Sequence, residues 1–464
     1  MLRLKITCLS KIEGIIMRIL LFLFLLTLAT TNICARGNGM SLIRDAEIED
    51  ILKTYVKPIL EAAHLDPKAL RIFIVDSKDI NAFVAGGQNL FIHTGLIQKS
   101  KHPAELIGVM AHEIGHIAGG HLTRFDAEMD RAGRTSLAGL LVGAAAALAA
   151  KDPSALAVGG MAGMSMAQRG FLKFSRTQEA SADQAAILFL EKSGQSPQGL
   201  YDMFKTLNHQ IAISTSIQDP YLLSHPMTDE RMRHIENACI HSPHRTKNLS
   251  PEILNAHKRL TAKLNGYLDS PNKNLRFYKE NDQSIESRYG RAIAYYKKIE
   301  TPKAIAIIDT LIKDYPEDPF FHELKGQILF ESGKTLEALP CYQKALSLKP
   351  DASLIRISLA QIELALPNPK LSEVSALLEK ALLTEPENTT GWELLATAYG
   401  QNGDIGMAAY ALAEKNMSIG QIDDAMQQVL RSEKLIQNKP GIRQKLQDIR
   451  QEIEYIRSKK GIFS

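Results

Sequence analysis

Two histidines four residues apart, His112 and His116, are the residues whose types and spacing most directly indicate chemistry, and Glu113 lies between them. The preceding residues 104–111 contain no proline and predict a helix. Residues four apart lie on one face of a helix, so both imidazoles could bind one metal ion. The H-E-x-x-H spacing predicts one zinc ion per chain, with the glutamate as general base toward water. Cobalt or manganese could occupy the same ligands in vitro.

A catalytic zinc ion needs a third protein ligand and one open position. One known pattern places a histidine six residues after the second one, but Leu122 stands there and His121 lies one residue short. The other route is a glutamate from a second helix, and Glu179 and Asp183 lie one helical turn apart. We expect Glu179 to bind the zinc ion and Asp183 to orient a ligand histidine through its second ring nitrogen.

Four separated motifs occur in the order of a known family. They are the stretch 80–96 with its NAFVAGG run, HEIGH at 112–116, EASAD at 179–183 and SHPMTDER at 224–231. Over roughly residues 45–240 the chain resembles the HtpX/BepA-like branch of the gluzincin metallopeptidases. The resemblance implies a secreted zinc endopeptidase whose peptidase domain is followed by helical repeats.

Two further site residues come from the resemblance alone. His225 would be an inhibitory fourth ligand that occupies the open zinc position until a substrate displaces it. Arg231 would contact the substrate or the transition state.

The H-E-x-x-H motif itself gives Glu113 its role. Glu113 would take a proton from water and later donate it to the leaving amine.

Two runs before the zinc helix predict strands. Residues 70–75 alternate and are rich in β-branched and aromatic side chains, and residues 88–93 are expected to pair with them after the Gly86-Gly87 turn. The resemblance implies that an edge strand beside the zinc helix binds an extended substrate through main-chain hydrogen bonds. His93 suits a strand position better than a metal site.

The N-terminus has the layout of a secretory signal. Met17-Arg18 precedes the apolar run 19–26 and the small and polar residues 27–32. We expect translation from Met1 or Met17, cleavage after Ala35 and export to the periplasm, with an uncleaved anchor as the alternative. Four bases and one acid fall within residues 1–35 of this chain of net charge +4, so the remainder carries no basic excess that would indicate nucleic-acid binding.

Two features of the exported chain leave alternatives open. Cys239 and Cys341 would remain after signal cleavage, either as a disulfide or as two free thiols. The Ala/Gly-rich segment 136–150 is too short to span a membrane. It either packs helix against helix within the domain, or forms a mobile loop over the cleft, or makes a peripheral contact with a membrane or a lipid-facing partner.

A period of about 34 residues appears after residue 285. The small residues Ala292, Gly326, Ala360 and Ala396 follow one another at intervals of 34, 34 and 36 residues. This period is typical of tetratricopeptide repeats, which stack into a solenoid with a groove for extended peptides or partner proteins.

These patterns predict a mainly α fold: an α+β metallopeptidase domain with a small β-sheet, followed by a tetratricopeptide-repeat α-solenoid. The expected segments are a signal peptide 1–35, the peptidase domain 36–245, a helical connector 246–285 and the repeats 286–464. By resemblance, the protein would degrade misfolded or stalled outer-membrane proteins and dock on their assembly machinery through the repeats. The alternatives are a chaperone or adaptor with a self-inhibited zinc site and, less favoured, an integral membrane protease of the HtpX type.

Overall fold

The computed structural model describes residues 40–122, 124, 134, 154–213, 225–436 and 438–462. A boundary between two compact units falls after Leu42, and the fold and the site belong to the second unit, Ile43–Ser464. The predicted signal peptide 1–35 and the Ala/Gly-rich segment 136–150 lie outside the described residues. In the part of the chain that is described, no helix is both long and apolar enough to cross a membrane.

Within residues 40–102, four short strands precede the helix that carries the two histidines. They are β1 (Leu42–Ile43), β2 (Arg71–Val75), β3 (Ala82–Ala85) and β4 (Asn89–His93). Strand β4 pairs in parallel with β2 and antiparallel with β3. Gly86 and Gly87 have positive φ values of 56° and 93° and make the turn between β3 and β4. Both predicted strands are present as β2 and β4, and they pair with each other. Strand β3 is not predicted by the sequence pattern, and it pairs with the other side of β4.

Helices make up most of the rest of the N-terminal part in its described residues. They are α1 (Ala46–Ala62), α2 (Thr94–Lys99), α3 (Pro103–Ala118), α4 (Ser154–Lys192), α5 (Gln198–Ile213) and α6 (Asp229–His241). Helix α3 begins with a proline in its first turn, where no backbone N–H bond is lost. Its residues Leu106, Val109 and Ile114 are fully buried. The helix with the two histidines therefore runs through the core and not along the surface.

Two glycines of α3 let neighbouring helices approach closely. A Cβ on Gly108 would lie 2.5 Å from the backbone nitrogen of Leu200 on α5. A Cβ on Gly115, inside the HEIGH motif, would lie 2.7 Å from the carbonyl oxygen of Ala182 on α4. Helix α4, which carries Glu179 and Asp183, thus packs directly on the backbone of the histidine helix.

The C-terminal part consists of helices alone among its described residues. They are α7 (Pro251–Leu268), α8 (Pro271–Phe277), α9 (Ile285–Lys297), α10 (Thr301–Asp314), α11 (Pro319–Glu331), α12 (Thr335–Leu348), α13 (Ser353–Leu364), α14 (Leu371–Leu382), α15 (Thr389–Gln401), α16 (Ile405–Ser418), α17 (Ile422–Leu435) and α18 (Pro440–Ile462). Helices α9 to α16 form four successive pairs, and the periodic residues Ala292, Gly326, Ala360 and Ala396 are buried in the first helix of each pair. A mainly α fold with a small sheet and helical repeats is confirmed.

Buried ion pairs join the N-terminal part to the repeats. Glu47 of α1 is fully buried and lies 2.5 Å from the Arg259 guanidinium and 3.2 Å from Nζ of Lys263. The hydroxyl of Tyr289, in the first repeat helix, donates to the same carboxylate at 2.6 Å. Arg259 in turn pairs with Asp318 at the start of α11. The repeats are therefore held against α1 by specific charges in addition to the chain connection.

The two cysteines of the described chain are free. Cys239 is buried in the N-terminal core, and Cys341 is half-buried on α12. Of the two alternatives left by the sequence, the structure has the free thiols.

Candidate metal centre

The residues predicted to bind a metal ion lie together where α3 and α4 cross. One donor atom from each of His112, His116, Glu179 and His225 lies within 4.8 Å of the other three, and all four residues are buried. Nε2 of His116 lies 3.1 Å from Nε2 of His112, and the Glu179 carboxylate lies 3.4 Å from both. Imidazole nitrogens and a carboxylate oxygen are a donor set suited to zinc and related ions. The residues present therefore fit a bound metal ion.

Asp183 lies against the ring of the first histidine. It follows Glu179 by one turn of α4, and its Oδ1 lies 2.9 Å from Nδ1 of His112. The nearby carboxylate favours a proton on Nδ1, which leaves the lone pair of Nε2 for the cluster. Asp183 thus lies where the sequence predicts an orienting residue.

Arg231 lies behind the metal ligands. The side chain is buried, its Nε and Nη2 donate to Asp183 at 2.6 and 2.9 Å, and its Nη1 lies 2.8 Å from Glu179. A planar guanidinium that holds two carboxylates fixes both of them at once. These contacts favour a positioning role for Arg231 over the contact with substrate that the resemblance implies.

His121 holds the second histidine. Its Nδ1 lies 2.9 Å from Nδ1 of His116, on the opposite side of that ring from the cluster. The return of the chain needs small residues, because a Cβ on Gly119 would lie 2.4 Å from the His121 ring and Gly120 has a φ of 61°. Gln178 donates to the carbonyl oxygen of His121 at 3.2 Å and ties this turn to α4. The two predicted histidine ligands are therefore oriented by different groups, a carboxylate and an imidazole.

His225 closes the cluster on its remaining side. Its Nδ1 lies 3.1 and 3.2 Å from the two Glu179 oxygens and 3.4 Å from Nε2 of His112. Its Nε2 lies 3.5 Å from Oε1 of Glu113. The imidazole thus lies between the metal-binding atoms and the carboxylate expected to act as general base.

Glu113 is a fully buried carboxylate whose two oxygens make no hydrogen bond of good geometry with any described residue. Burial raises its pKa, and the backbone of Val84 on β3 lies close enough to oppose part of that rise. A buried carboxylate without a fixed partner is suited to accept and return a proton. The effect of the Val84 backbone on Glu113 also shows that strand β3 lies directly beside the centre.

The protonation states of the ligands differ before a metal ion binds. Burial opposes protonation of His112, but the Asp183 and Glu179 carboxylates outweigh it and raise its pKa to about 9. Burial lowers the pKa of His116 to about 3. Burial would raise the pKa of Glu179, but its imidazole contacts hold it well below its usual range. We therefore expect metal binding to release a proton from His112.

A buried H-E-x-x-H helix joined by a glutamate from a second helix, with a small mixed sheet beside it, defines a metallopeptidase. Comparison with known families agrees: residues 43–239 match the model of Peptidase family M48, so this part of the chain is similar to the domains of that family. The protein is a metalloendopeptidase.

Similar proteins extend the likeness beyond residues 43–239. The chain is 26% identical to the beta-barrel assembly-enhancing protease of Yersinia pestis over 405 residues, covering 84% of this chain and 81% of that protein. It is 29% identical to metalloprotease YcaL of Escherichia coli K12 over 168 residues, 35% of this chain and 59% of that protein. Among solved structures, YrrB, a TPR protein with an unusual peptide-binding site, has a TM-score of 0.31 and 17% identity, covering 37% of this chain and 89% of that one. The assignment of the repeats rests on the helix pairs and not on that score.

Two features of the site are absent from the sequence-based prediction. The sequence offers His121 only as a candidate metal ligand, although the Gly119-Gly120 pair before it indicates a chain reversal toward the helix end. The approach of Val84 to Glu113 depends on the short strand β3, which has only four residues.

Proposed function

We propose that this protein is a zinc-dependent endopeptidase, exported to the periplasm, that cleaves misfolded or stalled outer-membrane proteins. The observation that carries the proposal is the buried cluster of His112, His116 and Glu179 with Glu113 beside it. The likeness to relatives named for beta-barrel assembly, over most of this chain, supports the substrate class. The predicted signal peptide supports the location.

The donor set supports zinc as the metal. Two histidines and a glutamate are the ligands of catalytic zinc in peptidases of this chemical type, with one position left for water. A bound zinc ion would polarise the scissile carbonyl and lower the pKa of a water molecule. We expect one ion per chain.

The chain's own residues would perform the proton transfers. Glu113 would accept a proton from the attacking water and later donate it to the leaving amine, and its raised pKa makes the carboxylate a stronger acceptor in the first of these steps. Asp183 would keep the His112 ring oriented throughout. Arg231 would hold the two carboxylates of α4 in place, so that Glu179 does not move when charge develops nearby.

His225 would act as a removable block. Its imidazole contacts Glu179, His112 and Glu113, so it occupies the space in which water must meet the base. It lies in the short non-helical segment 225–228 before α6. A substrate that moves this segment would open the centre, which would restrict cleavage to chains that engage the enzyme firmly.

Strand β3 would bind the substrate backbone. It lies at the edge of the sheet, and among the described residues no strand pairs with its outer side. An extended peptide could add there through main-chain hydrogen bonds, which recognise backbone more than side chains. The nearness of Val84 to Glu113 would bring a scissile bond beside the base.

The helical repeats would dock the enzyme on a partner protein. Their fixed attachment through Glu47 and Arg259 means that a partner bound to the repeats is held in a defined position relative to the peptidase domain. We propose the outer-membrane assembly machinery as that partner. The rival function, a chaperone or adaptor, draws on one observation, that His225 closes the centre.

Cleavage of an unfolded protein separates these functions. Purified mature chain with measured zinc content would be incubated with unfolded casein, with and without chelator, beside Glu113→Gln and the exposed-histidine control His234→Ala. We expect chelator-sensitive cleavage by wild type and His234→Ala and none by Glu113→Gln. Cleavage that persists in Glu113→Gln would exclude the proposed general base. No cleavage by wild type or by His225→Ala would support the adaptor.

A further inference from the structure

Three phenylalanines form a stacked row across the sheet. Phe73 of β2 lies opposite Phe91 of β4, and Phe91 lies opposite Phe83 of β3. The ring centroids are 4.9 Å apart in both pairs, with interplanar angles of 16° and 10°. This spacing equals the distance of about 4.8 Å between neighbouring strands, so each ring stands over its own strand. We call these three side chains the phenylalanine ladder.

The ladder is on the face of the sheet that points away from the core. The alternating residues Ile74 and Ile92 are buried in the main core cluster. The three rings are half-buried and do not belong to that cluster or to the side chains packed against it. Cross-strand aromatic pairs stabilise a sheet, but a contiguous apolar surface that stays accessible also marks a binding site.

One end of the ladder is covered and the other is at the sheet edge. The Arg71 guanidinium lies 5.2 Å from the Phe73 ring centroid and pairs with Glu387 of the repeats. Phe83 is on β3, whose outer side pairs with no strand among the described residues. The neighbouring residue Val84 lies beside Glu113. The strand that carries the accessible end of the ladder therefore approaches Glu113 through its backbone, while the Phe83 ring lies on the opposite face of the sheet.

An added strand would continue the ladder. A peptide paired with β3 would lie about 4.8 Å away, and its residue opposite Phe83 would project on the same face. An aromatic side chain at that residue would stack on Phe83 as a fourth ring. Residues one position away would project to the other face and gain nothing from the ladder, because side chains alternate along a strand.

We propose that the phenylalanine ladder is a specificity surface that selects extended substrate segments with an aromatic side chain opposite Phe83. This inference rests on the proposed strand addition at β3 and adds the substrate class to it. Strands of outer-membrane barrels alternate in polarity and carry aromatic residues at both membrane interfaces, so unfolded strands of such barrels have the required pattern.

The test is a positional scan of one extended, internally quenched peptide in which each residue in turn is Phe, Leu or Ala. Cleavage would be measured for wild type, Phe83→Leu, Phe83→Tyr and the exposed-phenylalanine control Phe277→Leu on α8. We expect wild type to prefer Phe over Ala by about 3- to 10-fold in kcat/KM at a single position, through KM. Phe83→Tyr and Phe277→Leu should keep the preference for Phe over Leu, and Phe83→Leu should lose it.

Two outcomes would overturn the inference. One is a wild type that cleaves with equal kcat/KM whether Phe, Leu or Ala stands at each position, which leaves the peptidase function intact. The other is a preference that survives in Phe83→Leu. If no peptide is cleaved, the proposed function fails. Fluorescence-polarisation binding of the labelled Phe and Ala peptides to the same variants then tests whether the phenylalanine ladder selects an aromatic side chain. Binding that depends on both the peptide's Phe and Phe83 supports it, and equal binding overturns it.

Discussion

Nδ1 of His121 lies 2.9 Å from Nδ1 of His116, so one imidazole holds the ring of another that is placed to bind the metal ion. The Nε2 atom of His116 faces Glu179 and His112, which leaves Nδ1 to carry the proton and His121 to accept it. In most such sites the partner of a ligand histidine is a carboxylate or a carbonyl oxygen. Here His112 has the carboxylate of Asp183 and His116 has a neutral partner.

Loss of the His121 ring should weaken metal binding. His121→Ala leaves Nδ1 of His116 without its acceptor, and we expect zinc affinity to fall by about tenfold or more. His121→Gln, which keeps an acceptor oxygen, should recover part of the loss. Competition with a chromophoric chelator measures the affinity directly, with the exposed-histidine variant His209→Ala as control. Equal affinities in His121→Ala and His209→Ala would remove His121 from the site.

Arg231→Lys distinguishes the two roles assigned to this arginine. A lysine cannot hold the carboxylates of Asp183 and Glu179 with a planar fork of donors. For a positioning residue we expect weaker zinc binding and a lower kcat with little change in KM. Unchanged zinc affinity with a raised KM would instead support the contact between Arg231 and the substrate that the resemblance implies.

Gly115 is required for the approach of the two helices that carry the ligands. A Cβ there would lie 2.7 Å from the carbonyl oxygen of Ala182, so Gly115→Ala should push α4 away and lower both stability and zinc affinity. Overpacking of this kind costs about 1–3 kcal/mol. Gly400→Ala on α15 meets no atom within 4 Å and is the matched control, expected to stabilise the chain by up to about 1 kcal/mol. Thermal unfolding compares the two, and a stable Gly115→Ala with full zinc affinity would contradict the packing argument.

The buried charge at the repeat junction should make stability depend on pH. Burial disfavours ionised Glu47, but Arg259, Lys263 and Tyr289 outweigh it and lower its pKa. A lowered native pKa stabilises the fold above the unfolded-state pKa of about 4.3, and this contribution disappears as the pH falls below that value.

Glu47→Gln should therefore destabilise the protein by about 3 kcal/mol at pH 7. The difference from wild type should shrink as the pH falls below about 4. Urea unfolding at several pH values measures this, with Glu61→Gln on the exposed side of α1 as control. If Glu47→Gln lowers the free energy of unfolding at pH 7 no more than the control does, the contacts of Glu47 with Arg259, Lys263 and Tyr289 do not hold the repeats.

The sequence predicts those parts of the fold whose pattern lies within a single helix or a single repeat. The HEIGH and EASAD motifs predict helices that carry ligands, and both segments lie in helices that meet at one cluster. The repeat period of about 34 residues predicts paired helices, because each repeat packs only against its neighbours. Whether these residues bind zinc stays a prediction until the metal is measured.

The features that sequence reasoning missed depend on contacts between distant segments. Glu47 has the sequence context of an ordinary acidic residue in the first turn of a helix, and only the fold brings Arg259 and Tyr289 to it. Strand β3 has four residues, two of them alanines with low strand propensity, and it is stabilised by its neighbour β4. Arg231 was assigned from a motif alone, and its contacts with α4 became visible only in three dimensions.

The most direct test of the gated centre is a comparison of His225→Ala with the double variant Glu113→Gln/His225→Ala. Zinc content and kcat/KM toward one internally quenched peptide would be measured on the same samples. We predict that His225→Ala retains one zinc ion and cleaves at least about tenfold faster than wild type, because a blocking ligand has been removed. The double variant should retain zinc and lose cleavage. A His225→Ala chain that keeps its zinc but cleaves no faster than wild type would contradict the account.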